Sequence, residues 1–307
     1  MEILIDSLVH DAISMRDAIE ALRHGYARHD EPDHCPARTL IRIYEKKATF
    51  GVMPYYSKRE NLFLAKIISH HAQNVSQGRK SINGVIVVQD GCTGQVLAQL
   101  DASTITALRT GATAGLATDL LARKHSKKLA IIGTGDQAMA ALSAVLCVRD
   151  IDCVSVYSRN KENVERFIVR ATDQFPSGVA FLGCEEVRSA IEEADIVCTA
   201  TTCAEPLFSA CDVVEGVHVN ALGKHTLVSR EFPLELVPQA ILVVEDRESA
   251  IREAGNYHSQ SISISEILQG PYQECQSKTT IFSSVGTAFQ DACICIALLK
   301  KLKLIES

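Results

Sequence analysis

The sequence predicts an α/β protein in which a doubly wound, parallel-sheet domain is inserted in a second, α+β domain. Three observations carry that expectation. Between residues 128 and 244 short apolar strands alternate with helical stretches, the pattern of a parallel sheet covered on both faces. Before residue 103 lie β-rich stretches with turn signals at Asp90-Gly91 and Thr93-Gly94, which suits a separate, mostly antiparallel sheet. A final helix over about residues 285–302 has an apolar face too broad to stand in water, so it is expected to pack back against the first domain. The expected division is residues 1–112 with 287–307 as one domain and 113–286 as the other.

Taken in order, residues 11–28 place Ile13, Met15, Ala18, Ile19, Leu22 and Tyr26 at helical spacing. Strands are expected over 39–44, 48–53, 62–69, 84–89 and 96–100. Ser103 can cap a helix through Ala107, Ala112, Leu116 and Leu120, whose small residues predict close packing. Strands over 129–132, 154–157 and 179–181 then alternate with helices over about 138–148, 161–175 and 185–194. Further strands are expected at 196–199, 218–221 and 240–244.

Composition narrows the function classes. The 307 residues exceed a small disulfide-stapled scaffold, and 31 Lys+Arg against 37 Asp+Glu (net −6) argue against nucleic acid or an anionic membrane as the main partner. Hydrophobic residues at 47% and charged residues at 22% suit a globular chain, while 5% aromatics and no Trp imply an aliphatic core. The longest apolar run, 292–299, has eight residues where a spanning helix needs roughly 20. Met1-Glu2-Ile3-Leu4-Ile5-Asp6 carries no basic export signal, and eleven cysteines show no C-x-x-C pair. Reduced thiols in a cytoplasmic chain are therefore expected. His70-His71, His34-Cys35 and Glu45 lack metal-ligand spacing, so no metal is expected.

The sharpest local signal is Ile131-Ile132-Gly133-Thr134-Gly135-Asp136-Gln137-Ala138, a strand entering G-x-G-x-x-A and then a helix. A pyrophosphate needs this arrangement: a tight turn, close backbone approach, a small residue for helix–strand contact and helix N–H groups aimed at the anion. The signal predicts a Rossmann dinucleotide-binding domain; the alternative is a structural turn. At the next strand tip, Ser158-Arg159-Asn160 follow Tyr157 with no acid to hold a ribose 2′-hydroxyl. Ser158 and Asn160 can donate, and Arg159 can pair with a phosphate, which favours NADP(H) with NAD(H) tolerated. The alternative is a solvated Arg at a strand end.

Several segments then match in order: Pro36-Ala37-Arg38-Thr39, Gly51-Val52-Met53-Pro54, the Lys66 strand, Ala107-Leu108-Arg109-Thr110-Gly111-Ala112, the Gly133 loop, Val219-Asn220-Ala221-Leu222-Gly223, Lys278-Thr279-Thr280 and Ser283-Ser284-Val285-Gly286. Through them the chain resembles the ornithine cyclodeaminase/mu-crystallin family over nearly its whole length. The resemblance implies a homodimer whose first domain, joined by the C-terminal helix, forms the dimer interface and much of the substrate pocket. It also implies that Arg38, Lys66 and Arg109 clamp the carboxylate of an amino or imino acid; Asp101 and Thr110 are read separately as supporting residues that orient Arg109 and the following helix. Structural alternatives are Lys66 reaching solvent and Arg109 pairing with Asp101. Thr201, Asn220, Ala221, Ser284, Val285 and Gly286 join the Gly133 loop and residues 158–160 as the expected cofactor site.

One departure selects the reaction. Ornithine cyclodeaminases place an Asp two residues after the Gly of Asn-Ala-x-Gly, where it activates the substrate amine; here Lys224 and then His225 follow Gly223. The resemblance therefore points to NAD(P)H-dependent reduction of the C=N bond of a cyclic or α-imino acid. Δ1-Pyrroline-2-carboxylate and Δ1-piperideine-2-carboxylate, giving L-proline and L-pipecolate, are the expected substrates, and an open-chain imino acid fits the same clamp. Lys66, or His225 through a water, is the expected proton source; alternatively His225 only lines the cofactor cleft. Two other classes stay in view: an NAD-using ammonia lyase of the cyclodeaminase type, and a mu-crystallin-like protein that binds NADPH and a small carboxylate. Retention of Arg38, Lys66 and Arg109 argues for chemistry.

Overall fold

A computed structural model describes residues 2–4, 6–28, 34–43, 45, 48–175, 178–270 and 272–306. Met1 and Ile5 of the N-terminal segment, and Tyr44 at the end of the first expected strand, lie outside the described residues. The chain divides into two compact units, Met1–Arg109 with Thr287–Ser307, and Thr110–Gly286.

The first unit opens with β1 (Glu2–Leu4), α1 (Asp6–Ala12) and α2 (Met15–Ala27). The single helix expected over 11–28 is interrupted at Ser14, which caps α2 by accepting from the Asp17 amide at 3.2 Å while Asp17 accepts from the Ser14 amide at 3.0 Å. Five strands follow: β2 (Thr39–Ile43), β3 (Ala48–Ser57), β4 (Leu62–His71), β5 (Ile82–Asp90) and β6 (Val96–Asp101). They form a six-stranded sheet in the order β1-β6-β5-β4-β3-β2, antiparallel except where β1 joins β6. Side chains alternate between faces, so Met53, Lys66 and Ile86, directly opposite one another across β3, β4 and β5, share the buried face. The other face is apolar and open: Phe50 and Phe63 are exposed, and a shallow groove runs past Pro54, Tyr56, Ala65, Ile67 and Val87.

The helix α3 (Ala102–Leu121) carries the chain from the first unit into the second. Its cap is Asp101, whose Oδ1 accepts from the Thr104 amide and hydroxyl, each at 2.8 Å. Ser103, the expected cap, lies inside the first turn and donates to the Ile82 carbonyl. Asp101 wins because the amide three residues ahead is the one a cap side chain reaches.

The second unit holds β7 (Lys128–Ile132), α4 (Asp136–Val148), β8 (Cys153–Tyr157), α5 (Lys161–Gln174), β9 (Ala180–Gly183), α6 (Val187–Ile191), β10 (Ile196–Thr199), β11 (His218–Ala221), β12 (Ile241–Val244), α7 (Arg247–Ala254), β13 (Ile262–Ser263), α8 (Ile264–Gln269) and β14 (Thr280–Ser283). All eight strands run parallel in the order β13-β12-β14-β11-β10-β7-β8-β9. The order reverses between β7 and β10, and the crevice outside the carboxyl ends of strands at such a point is where this architecture takes ligands. The helix expected over 185–194 shrinks to α6, since Ala194 closes a tight turn on the Ile191 carbonyl at 3.0 Å and Asp195 accepts from the Lys127 and Lys128 amides.

The close packing expected of α3 is visible at Gly111, where an added Cβ would lie 2.6 Å from the Ala140 carbonyl oxygen on α4. Buried Arg149 completes the C-terminus of α3 by donating to the Thr118, Asp119, Ala122 and Arg123 carbonyls at 2.8–3.0 Å. The chain re-enters the first unit in α9 (Ala288–Lys301). This helix begins three residues later than expected because Gly286 has φ +72° and Thr287 forms the cap with Gln290. Tyr26 of α2 packs on Phe289 of α9 at 4.8 Å between ring centroids.

His218 on β11 is fully buried, with Nδ1 2.9 Å from the Thr280 hydroxyl, and burial pushes its pKa down to about 3. The unfolded chain takes up this proton near pH 6.5 and the native state does not, so stability falls as pH drops from 6.5 toward 3. Replacing His218 with Asn is expected to remove about 2 kcal/mol of the stability lost between pH 7 and pH 5. Urea midpoints at the two pH values check this; equal losses in parent and variant contradict it.

Candidate functional site

In the first unit, four side chains meet on the buried face of the sheet. The Lys66 ammonium on β4 lies 2.5 Å from Asp291 Oδ2 and 3.5 Å from the Thr106 hydroxyl. Arg109 on α3 places Nε 3.5 Å from Asp291 Oδ1 and donates through Nη1 to Gln290 Oε1 at 3.0 Å. Lys66, Arg109, Gln290 and Asp291 are all buried. Arg38, in the extended segment before β2, is half-buried and near enough for its charge to act on Lys66. Lys66 has a pKa lowered to about 8: burial is the largest cause, Asp291 opposes it, and Arg109 and Arg38 add to it. The ammonium thus persists at neutral pH but releases its proton more readily than an ordinary lysine. Lys66 does not reach solvent, and the groups found against Arg109 are Gln290 and Asp291, whereas Asp101 serves the α3 cap.

In the second unit, the Gly133 loop joins β7 to α4. Gly133 has φ +117°, donates to the Tyr157 carbonyl at 2.9 Å, and would bring a Cβ within 2.4 Å of the Ala200 carbonyl oxygen. Only glycine suits that conformation and that approach. Gly135 is the α4 cap, no side chain bonds there, and nothing lies within 4 Å of where its Cβ would stand. The first-turn amides of a 13-residue helix are therefore offered to an anion, as a dinucleotide pyrophosphate requires. Thr134 and Gln137 are half-buried, Asp136 is exposed, and Ala138 is fully buried between helix and strand.

Beyond β8, Ser158 is half-buried and Arg159 is exposed, with no carboxylate within ion-pair distance among the described residues. Asn160 Oδ1 accepts from the Asn163 amide at 2.9 Å and caps α5, a bond that does not use the side-chain NH2 donors of the sequence reading. Asn220 is fully buried on β11; its amide donates to the Thr118 hydroxyl at 2.8 Å, while its Oδ1 has no hydrogen-bond partner among the described residues. Ala221 is buried at the end of the same strand.

Two buried carboxylates organise the strand-end loops. Glu231 accepts from the Thr199 hydroxyl (2.7 Å), the Thr201 amide (2.7 Å) and hydroxyl (2.6 Å) and the Gly223 amide (2.7 Å). Thr201 is thereby held within the loop after β10. Glu245, following β12, accepts from the Ser284 hydroxyl and from the Val285 and Gly286 amides at 3.2 and 3.1 Å. Beside that loop, His225 Nδ1 stands 3.3 Å from the Ser284 carbonyl; since a carbonyl only accepts, Nδ1 carries the proton. Nε2 is then an acceptor, buried with no hydrogen-bond partner among the described residues. Burial lowers the His225 pKa to about 4, so the ring is neutral at pH 7.

Asp291, Gln290, Glu231 and Glu245 belong to no motif read from the sequence. Two signals could have found some of them: Asp291 is an acid in the first turn of an apolar helix, and Glu245 directly follows an apolar strand.

The sequence model of the ornithine cyclodeaminase/mu-crystallin family matches residues 2–302. A Δ1-pyrroline-2-carboxylate reductase of Bacillus cereus is 33% identical over 280 residues, covering 87% of this chain and 85% of the relative. The ketimine reductase mu-crystallin of Mus musculus is 32% identical over 260 residues, covering 83% and 81%. Among solved structures, the Thermococcus litoralis Δ1-pyrroline-2-carboxylate reductase in complex with NADH and L-proline superposes with a TM-score of 0.91 at 30% identity, covering 99% of this chain and 98% of that one.

Proposed function

The chain belongs to the ornithine cyclodeaminase/mu-crystallin family, and from that premise we propose that it reduces the C=N bond of a cyclic or α-imino acid with NAD(P)H. The proposed substrates are Δ1-pyrroline-2-carboxylate and Δ1-piperideine-2-carboxylate, giving L-proline and L-pipecolate. The observation that carries the reading is the buried cluster of Lys66, Arg109 and Asp291. Two cations against one internal carboxylate leave positive charge for a substrate carboxylate, beside an ammonium able to release a proton. The names of the bacterial and archaeal relatives, and the L-proline bound to the latter, support the same reaction class.

In the proposed reaction Arg38 and Arg109 bind the substrate carboxylate while a Lys66 N–H faces the imine nitrogen. A reduced nicotinamide, when bound, supplies the hydride for the imine carbon. Lys66 supplies the balancing proton to nitrogen and regains one from water; a pKa of about 8 leaves it charged at neutral pH and able to give the proton up. His225, neutral at pH 7, is no acid there and instead offers Nε2 as an acceptor.

The dinucleotide is assigned to the Gly133 loop and the first turn of α4, with Ser158 and Arg159 beside the adenosine ribose. NADP(H) is the preferred cofactor, with NAD(H) accepted, since Arg159 is exposed for a 2′-phosphate, with no ion-pair partner among the described residues, and no acid replaces it. Arg159→Ala is expected to raise the KM for NADPH about tenfold or more while leaving that for NADH nearly unchanged. Equal effects on both cofactors reject the preference. The open apolar face of the six-stranded sheet is assigned to a second copy of the chain, to be checked by light scattering. Eleven cysteines without a bridge among them suit a cytoplasmic enzyme.

The reaction is tested by following NADPH absorbance with Δ1-pyrroline-2-carboxylate, Δ1-piperideine-2-carboxylate and pyruvate plus ammonia, alongside ammonia release from L-ornithine. Cofactor oxidation with a cyclic imine supports the reading. Ammonia release without cofactor consumption replaces it with cyclodeamination, and ligand binding with no turnover replaces it with a binding role.

A further inference from the structure

We propose that Asp291 is a positioning residue of the reduction: one carboxylate holds the Lys66 ammonium in its proton-donating form and fixes the Arg109 guanidinium in place for the substrate carboxylate. The inference rests on the reaction proposed above and adds a residue that no sequence motif singled out.

The geometry is compact. Asp291 Oδ2 is 2.5 Å from Lys66 Nζ and Oδ1 is 3.5 Å from Arg109 Nε, so each oxygen faces a different cation. The carboxylate stands in the first turn of α9, where the helix dipole favours negative charge. Its neighbour Gln290 ties the same turn to Arg109, because Oε1 accepts from both the Thr287 amide and Arg109 Nη1 at 3.0 Å. The start of α9 and the Arg109 side chain are thus set by shared hydrogen bonds.

The surroundings of Lys66 show what Asp291 opposes. Arg109 and Thr106 face it from α3, Arg38 from the segment before β2, and Asp291 and Cys295 from α9. Its cross-strand neighbours Met53 and Ile86 carry no charge. Burial pushes the Cys295 thiol well above its usual range, so it stays neutral. Burial and both arginines disfavour the ammonium, and Asp291 is the group that restores it. Without that carboxylate Lys66 becomes a neutral amine at the pH where turnover needs an acid.

The test compares the full-length parent with Asp291→Asn and Asp291→Glu, measuring kcat and KM for Δ1-pyrroline-2-carboxylate with NADPH from pH 6 to 9. In Asp291→Asn the basic limb of the kcat profile is expected to move down by about one pH unit or more, with kcat at pH 8 reduced about fivefold or more. Asp291→Glu keeps the charge, so its limb stays at the parental pH while KM rises from the displaced Arg109. An Asp291→Asn enzyme with parental limb and rate overturns the proposal; if that variant does not fold, an Asp291→Glu limb displaced from the parent overturns it. A second readout needs no turnover: the 13Cε resonance of Lys66, identified by its loss in Lys66→Met, titrates at lower pH in Asp291→Asn. An unshifted titration rejects the role of Asp291 even if the parent reduces the imine. A shifted titration in a parent that reduces no imino acid retains the pairing and rejects only the reaction reading.

Discussion

Lys66→Met is expected to lower kcat for imine reduction by about 10²–10⁴-fold, the range associated with loss of a positioned proton donor. Met keeps the length and apolar stem of a side chain that is 2% exposed and lies between Met53 and Ile86 across the sheet, so the loss falls on the ammonium. Lys66→Arg separates two roles of that charge. A guanidinium retains attraction for a carboxylate but gives up no proton at any working pH, so KM is expected to stay within a small factor of the parent while kcat collapses. Near-parental kcat in either variant rejects Lys66 as the acid. Stability is affected less than where a buried charge loses its sole partner, because removing the ammonium leaves Asp291 with Arg109 at 3.5 Å.

How much of this was legible in the sequence depends on the range of each interaction. The parallel sheet was legible because β7, α4, β8 and α5 follow one another with local periodicity, and Gly133 and Gly135 mark the turn between the first two. The cations at Arg38, Lys66 and Arg109 were legible only through a family resemblance, since nothing local distinguishes a clamp lysine from a solvated one. Their partner was not legible at all. Asp291 lies 225 positions beyond Lys66, and α9 had been expected to begin at residue 285, which would place Asp291 near the end of its second turn instead of in its first. The glycine at 286 and the Thr287 cap shift that start, and with it the face on which Asp291 and Gln290 stand. Asn220 carries a role that its motif did not announce: at a strand position buried on both faces its amide donates to Thr118 on α3. Asn160 likewise sits where a cap acceptor is needed before α5, a requirement as local as the one that the cofactor reading supposed.

Glu231→Leu is expected to destabilise the parallel-sheet unit by about 2 kcal/mol or more, since a buried donor left without an acceptor costs about 1–3 kcal/mol and half-buried ones cost less. The donors are the Thr199 and Thr201 hydroxyls and the Thr201 and Gly223 amides, all at 2.6–2.7 Å from the carboxylate. Burial raises the pKa of Glu231, and those same four donors pull it back toward the ionised form that accepts from all of them. Gly223 packs flush on the group: a Cβ there would lie 2.3 Å from Glu231 Oε1, so the carboxylate occupies space as well as accepting bonds. The consequence reaches the proposed dinucleotide site through backbone contacts. The loop held at Thr201 begins at Ala200, whose amide donates to the Ile132 carbonyl at 2.8 Å and whose carbonyl abuts Gly133. If Glu231 sets the floor of the crevice at the β7–β10 switch, Glu231→Leu should weaken NADPH binding along with the fold. Glu231→Gln, which keeps the shape and turns one acceptor into a donor facing donors, should show a smaller loss in the same direction. Thermal unfolding and NADPH fluorescence titration measure both. A Glu231→Leu protein with parental melting temperature and cofactor affinity contradicts this role, because one buried and three half-buried donors lose their shared acceptor.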